Sequence, residues 1–205
     1  MPRDGATATA VLTDGTEIEF RPVGPDDKAL LQEGMAMLSP ASRRLRFMAP
    51  IENLSRSQLA YLTEIDHRRH LAWGAMIAGR PVAIGRLVRL PDRPGAAEIA
   101  LAVVDDWQAR GIGTLLVRLL AEVGRSVGIE EFVFEALADN QGIIRLFGRF
   151  GAFPRHEGGI VTGSLPIGSI ERARFRSGDI LQLSAAAGRS LAVQSPGRVN
   201  LPDRG

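Results

Sequence analysis

The chain has 205 residues, 45% of them hydrophobic, enough to bury one sizeable core, so a single domain with a tail is the natural organisation. A formal charge of only +2, with Lys28 the one lysine among 25 basic residues, lends little support to a nucleic-acid partner, and the absence of cysteine excludes disulfides, thiolate metal sites and a Cys nucleophile. The opening Met1-Pro2-Arg3-Asp4-Gly5 lacks the apolar stretch of a signal peptide, and no run approaches the roughly 18 apolar residues of a membrane span; a soluble, cytoplasmic protein with no membrane partner is expected.

In chain order, Thr16-Glu17-Ile18-Glu19-Phe20-Arg21 alternates in character and predicts a first strand. Pro25-Asp26-Asp27 caps a helix through about Met37, the acidic pair favouring its N-terminus. Pro40 starts a short helix, and Asn53-Leu54-Ser55 caps another through Tyr61. Three strands near 70–78, 82–90 and 96–104 form a meander, with turns at Ala78-Gly79-Arg80-Pro81 and Pro91-Asp92-Arg93-Pro94-Gly95. Leu115, Leu116, Leu119, Leu120, Val123 and Val127 then recur at helical spacing, and a strand at 131–137 follows, parallel to its predecessor because a helical crossover permits that pairing. Residues 159–167 supply a last strand, and from Ser184 the chain turns Ser/Ala/Gly/Pro/Arg-rich, so 184–205 is expected to be a disordered tail.

Between the strand ending Ala102-Val103-Val104 and the long helix lies Gln108-Ala109-Arg110-Gly111-Ile112-Gly113-Thr114. Its glycines sit at a helix mouth, where unpaired N–H groups and the positive end of the helix dipole face outward and missing Cβ atoms let a phosphate approach the main chain. Arg110 adds a charged donor. A Gly-x-Gly here can also be only a tight connection. The dinucleotide fingerprint fits poorly because its third glycine falls on Leu116, and a P-loop is excluded because no Gly-Lys-Ser/Thr follows.

The spacing Leu101-x-Val103-x-x-x-x-Gln108-x-x-Gly111-x-Gly113 resembles the acetyl-CoA signature of the Gcn5-related N-acetyltransferases (GNAT). The similarity continues through Phe132–Leu137, Asn140 and a segment running to Phe150-Gly151-Ala152-Phe153. It implies a domain over about 15–170 with an α/β fold: a mixed, mostly antiparallel sheet with a splayed parallel pair and flanking helices. The co-substrate implied is acetyl-CoA, with no metal. Gln108, Ala109, Arg110, Gly111, Ile112, Gly113 and Thr114 would hold its pyrophosphate, amides near Leu101 and Val103 its pantetheine arm, and Val103 the oxyanion as well. Asn140, besides capping a helix, would touch the coenzyme arm. Phe147, also expected to contact the coenzyme, falls where many relatives place a tyrosine that protonates the departing thiolate, and it has no proton to give.

Glu98 resembles the strand glutamate that serves as general base in protein-acetylating relatives, with partial burial expected to raise its pKa. Segments Leu38–Phe47, Leu62–Asp66 and His70–Trp73 resemble bacterial protein lysine acetyltransferases, so a protein lysine is the favoured acceptor. A small-molecule amine acetyltransferase and a non-catalytic acyl-CoA-binding module are the alternatives. Asp66, His67 and His70 are candidates to line the acceptor groove. Arg43, Arg44 and Arg46 read as a helix face of solvated charge, and Trp73 and Trp107 as core and loop anchors.

Overall fold

The computed structural model describes residues 7–172, so the expected tail at 184–205 lies outside the described residues. Eight strands make one sheet in the order β1-β2-β3-β4-β5-β6-β8-β7. They are β1 (Ala8–Val11), β2 (Glu17–Pro22), β3 (His70–Ile77), β4 (Arg80–Leu90), β5 (Arg93–Val103), β6 (Glu131–Leu137), β7 (Arg155–Glu157) and β8 (Ile160–Pro166). The helices are α1 (Lys28–Ala36), α2 (Pro40–Phe47), α3 (Arg56–Thr63), α4 (Ile112–Ser126), α5 (Gln141–Arg149) and α6 (Ile167–Arg172). Neighbouring strands pair antiparallel except β5 and β6, which run parallel because α4 carries the chain back across the sheet.

Local chemistry sets the boundaries. Ser55 caps α3 by accepting from the Gln58 amide while the Gln58 side chain accepts from the Ser55 amide, and Ser39 caps α2 through Ser42 N. The β3–β4 turn is tighter than the sequence suggests. Ala78 and Gly79 both take positive φ, so β4 already starts at Arg80. The sequence also missed β1, β7 and α6.

The two faces of the sheet are packed differently. Alternate residues Leu87, Ala97 and Ile99 join Leu115, Leu116, Leu119 and Leu120 of α4 in the main core, with Phe132, Phe134, Phe147 and Phe150 alongside. The packing is so close that a Cβ on Gly85 would lie 2.8 Å from Leu120 and 2.9 Å from Leu101. On the other face α1, α2 and α3 bury a smaller cluster around Met35, Leu38, Leu54 and Leu59. The strand residues beneath it are small, Gly74, Ala100 and Ala102 among them, and the helices do not close the space above.

Candidate active site

The parallel pairing of β5 with β6 is short: Ala96, Ala97 and Glu98 lie opposite Glu131, Phe132 and Val133, and the strands then part. Which groups of β5 face the resulting gap follows from the ladder. Val104 N donates to Val82 O, so even-numbered residues of β5 bond towards β4; Glu130 N donates to Gly95 O, so odd-numbered ones face β6. Beyond Glu98, the main-chain groups of Leu101 and Val103 therefore point into the gap.

At the end of β5 the chain passes through a 3-10 turn at Asp105–Trp107. Ala109 (φ 57°) and Gly111 (φ 87°) both take left-handed conformations before α4 begins. Ala109 bears the cost of a Cβ there, whereas Gly111 does not. Gly111 is the N-cap and supplies no side chain; the first helical bond runs from Leu115 N to Gly111 O at 3.1 Å. The amides of Ile112, Gly113 and Thr114 thus have no acceptor within the helix, at the positive end of a fifteen-residue dipole. A pyrophosphate fits this donor set, and no Cβ stands over it at Gly111. Gly113 has a packing role too, since a Cβ there would approach Leu146 of α5 to 3.2 Å.

Four side chains around this turn, those of Asp105, Trp107, Gln108 and Arg110, are engaged. Gln108 Nε2 donates to Val103 O (3.0 Å) and to Ser42 Oγ (3.3 Å). Arg110 bonds Asp14 at 3.3 Å and stacks 4.7 Å over the Trp107 ring, so Trp107 anchors the loop. Asp105 accepts from Ser39 N, Ser39 Oγ and Ser42 Oγ at 2.8–2.9 Å, which ties the start of α2 to the loop before α4. Burial opposes ionisation of Asp105, yet these bonds hold its carboxyl below the usual carboxylate range. Asn140 caps α5 by accepting from Ile143 N at 3.2 Å. Phe147 is only 1% exposed and its ring lies 4.5 Å from that of Phe134; it offers a coenzyme almost no surface, in contrast to the contact expected of it.

Beneath α1, α2 and α3 is an open cleft with a mostly apolar lining. Strand register sets out this face of the sheet in rows: His70, Val88 and Glu98 lie side by side, then Ala72, Arg86 and Ala100, then Gly74, Ile84 and Ala102; Gly74, Ile84, Arg86, Ala100 and Ala102 line the cleft, and the row of Glu98 lies next to them. Glu98 thus stands where β5 and β6 separate, on the same face of the sheet as the cleft and one row outside its lining. It is exposed, and the partial burial expected of it is not found. Trp73 belongs to the core as expected.

The other acceptor-side candidates have structural work. Asp66 Oδ1 accepts from the amides of Arg68, Arg69 and His70 at 2.8–2.9 Å and builds the turn into β3; against the desolvation that raises it, these bonds hold its carboxyl low. His67 takes a left-handed φ of 55° in that turn. His70 stacks 4.9 Å from Tyr61 and its Nε2 meets Arg86 Nη1; burial and then that guanidinium push its pKa down to about 4. Of the three arginines of α2, Arg44 is exposed as a solvated face would be, and Arg43 and Arg46 are not. Arg43 donates to Glu52 O at 2.9 Å, Arg44 pairs with Asp139, and Arg46 turns into the cleft against Phe47.

Arg86 was not singled out from the sequence. Its signal was a lone charge inside Val82-Ala83-Ile84-Gly85-Arg86-Leu87-Val88. Among the described residues no three His, Asp or Glu side chains group as metal ligands, and no helix is long and apolar enough to cross a membrane.

Comparison with known proteins agrees with this geometry. A family model described as the acetyltransferase (GNAT) family matches residues 39–152, more than half of the chain. Acetyltransferase Pat of Mycolicibacterium smegmatis is 30% identical over 181 residues, 86% of this chain, and the match spans 54% of that protein, so the chain corresponds to about half of its length. Acetyltransferase PA5475 of Pseudomonas aeruginosa is 29% identical over 64% of this chain and 73% of its own. The crystal structure of the GNAT domain of S. lividans PAT superimposes with a TM-score of 0.75 at 29% identity, covering 81% of this chain and 99% of that one. The chain belongs to the acetyltransferase (GNAT) family, whose members move an acetyl group from acetyl-CoA to an amine, and it has that family's fold.

Proposed function

We propose that this chain transfers the acetyl group of acetyl-CoA to the side-chain amine of a protein lysine by direct attack. One observation carries the proposal: β5 parts from β6 immediately after Glu98, so the amides of Leu101 and Val103 open towards the gap that leads to the α4 cradle, while Glu98 stands beside the cleft on the other side. Donor and acceptor would meet at that point from opposite faces of the sheet.

In this reading the amides of Ile112, Gly113 and Thr114 hold the pyrophosphate, and Gln108 and Arg110 exchange their present partners for it. The Val103 N–H donates to the thioester oxygen and stabilises the negative charge that develops there as nitrogen adds to carbon. Glu98, directly or through one water, takes the proton that the ammonium must lose before attack. The carbon–sulfur bond then breaks and coenzyme A leaves as a thiolate, which a thiol's acidity permits without a proton from position 147. Support for lysine as acceptor comes from the resemblance of Leu38–Phe47, Leu62–Asp66 and His70–Trp73 to protein lysine acetyltransferases, since these segments border the acceptor face.

The test is incubation of the chain with labelled acetyl-CoA and a bacterial lysate, followed by mass spectrometry of proteins and metabolites. Label on protein lysines is the expected result. Label confined to small amines would overturn the acceptor, and no enzyme-dependent label at all would overturn catalysis.

A further inference from the structure

Three arginines line the acceptor cleft, and they are not in the same electrostatic condition. Arg21 is neutralised: its Nη2 and Nη1 reach the two oxygens of Asp27 at 2.8 and 3.1 Å. Arg86 and Arg46 have no carboxylate within ion-pair distance among the described residues.

Arg86 is 5% exposed, in mid-strand, and both of its hydrogen-bond partners are uncharged. One is the Leu62 carbonyl, 2.8 Å from Nη2; the other is the His70 ring, which stays neutral near pH 7 because its pKa is pushed down to about 4. Arg46 approaches from α2, close enough to Arg86 that the two cations disfavour one another: burial first and Arg46 second push the Arg86 pKa down to about 10. Glu98 attracts Arg46, but across a gap wider than an ion pair. Two like charges against an apolar cleft are costly unless an anion joins them.

We infer that Arg46 and Arg86 form a subsite for a carboxylate that the acceptor carries near its reacting amine. The inference rests on reading this cleft as the acceptor site. A planar guanidinium pair matches a planar carboxylate, and the cleft's small polar surface suits one anionic charge better than a hydrated phosphate dianion. The donor's phosphates are accounted for at the N-terminus of α4, on the other face.

Register gives the spacing. Arg86 lies opposite Ala100, one same-face step along β5 from Glu98, which is roughly 7 Å of strand. Backbone positions so placed favour an acceptor whose amine and carboxylate are several bonds apart. They disfavour an α-amine with its own α-carboxylate, where two bonds part the nitrogen from the carboxyl carbon. They suit a lysine side-chain amine paired with an adjacent acidic side chain, or with the carboxylate of the lysine itself.

Glutarate, a dicarboxylate without an amine, tests the subsite by calorimetry on the full chain. It should bind the parent protein and bind Arg46→Gln and Arg86→Gln at least tenfold more weakly, with acetyl-CoA affinity unchanged as the control for folding. Arg86 is the more buried, so Arg46→Gln decides the matter if Arg86→Gln does not fold. A second arm compares lysine peptides bearing Asp or Ala beside the lysine, and free lysine with its carboxylate intact or amidated. Preference for the Asp peptide assigns the carboxylate to a neighbouring residue, whereas preference for unamidated lysine assigns it to the acceptor residue; either should fall at least tenfold in the Arg variants. Glutarate that fails to bind the parent, or binds folded variants equally well, overturns the subsite. If no lysine compound is acetylated while glutarate binding still depends on both arginines, the lysine reading fails and the subsite stands.

Discussion

The face of the sheet that carries α4 and the face beneath α1, α2 and α3 use the same strands to opposite ends. Odd-numbered residues of β4 and β5 enter a core packed so closely that position 85 has no room for a methyl group. Even-numbered residues of the same strands include Arg86, Ala100 and Ala102 under an open cleft, with Glu98 beside it. Stability is concentrated on one face, and the other can therefore tolerate exposed charge, buried arginine and open volume. A strand alternates its side chains, so one sequence can meet both demands.

The comparison can be broken by substitutions that respect the face they touch. The largest effect is expected from Glu98→Gln on the open face: turnover falls by roughly two to four orders of magnitude, the scale of general-base catalysis, with acetyl-CoA affinity retained. The residual rate should recover towards the parent's at alkaline pH, where amine loses its proton unaided; full turnover at neutral pH with chemistry rate-limiting would remove Glu98 from the mechanism. On the packed face, Gly85→Ala should cost about 1–3 kcal/mol, because Leu120 and Leu101 must both move, and should lower the melting temperature by several degrees. An unchanged melt would show that the core has slack there.

Gly113→Val joins the two concerns. It places side-chain atoms near the α4 amides and against Leu146, so acetyl-CoA affinity measured by calorimetry should drop on the order of tenfold or more, with a smaller loss of stability. Equal affinity in the folded variant would mean that the turn is only a connection. The last effect, on the pH dependence of stability rather than on activity, belongs to His70. Its folded pKa, about 4, lies below its unfolded value of about 6.5, so the unfolded chain binds the extra proton first. Its contribution to stability is complete above pH about 6.5, declines as pH falls to about 4, and changes no further below that. Urea midpoints measured across this window should drop less steeply in His70→Gln than in the parent.

The packed face was the more legible in the sequence. Leu115, Leu116, Leu119 and Leu120 declare α4 by their spacing, and the strands that became β3, β4, β5 and β6 show through apolar runs between Gly/Pro turns. Missed elements had little to show: β7 is three exposed residues, and β1 is four residues of Ala, Thr and Val. The cradle could be read because its chemistry is contiguous, from Gln108 to Thr114. Its counterpart could not, because Arg46, Arg86, His70 and Glu98 come from α2, β4, β3 and β5 and meet only through sheet register. Periodicity also misled at Arg43 and Arg46, since a short basic helix looks the same whether its charges meet water, carbonyls or a cleft.

The early end of the β5–β6 ladder leaves a signature in isotope exchange. Beyond Glu98 the amides of Ala100 and Ala102 are bonded into β4, whereas those of Leu101 and Val103 face the gap. Protection along this stretch of a single strand should therefore alternate residue by residue, slow then fast, although all these residues belong to one β-strand. A ligand that lies along the gap would slow the fast members and leave the slow ones as they were. Deuterium uptake at Leu101 and Val103 is thus a gauge of occupancy that needs no knowledge of the acceptor.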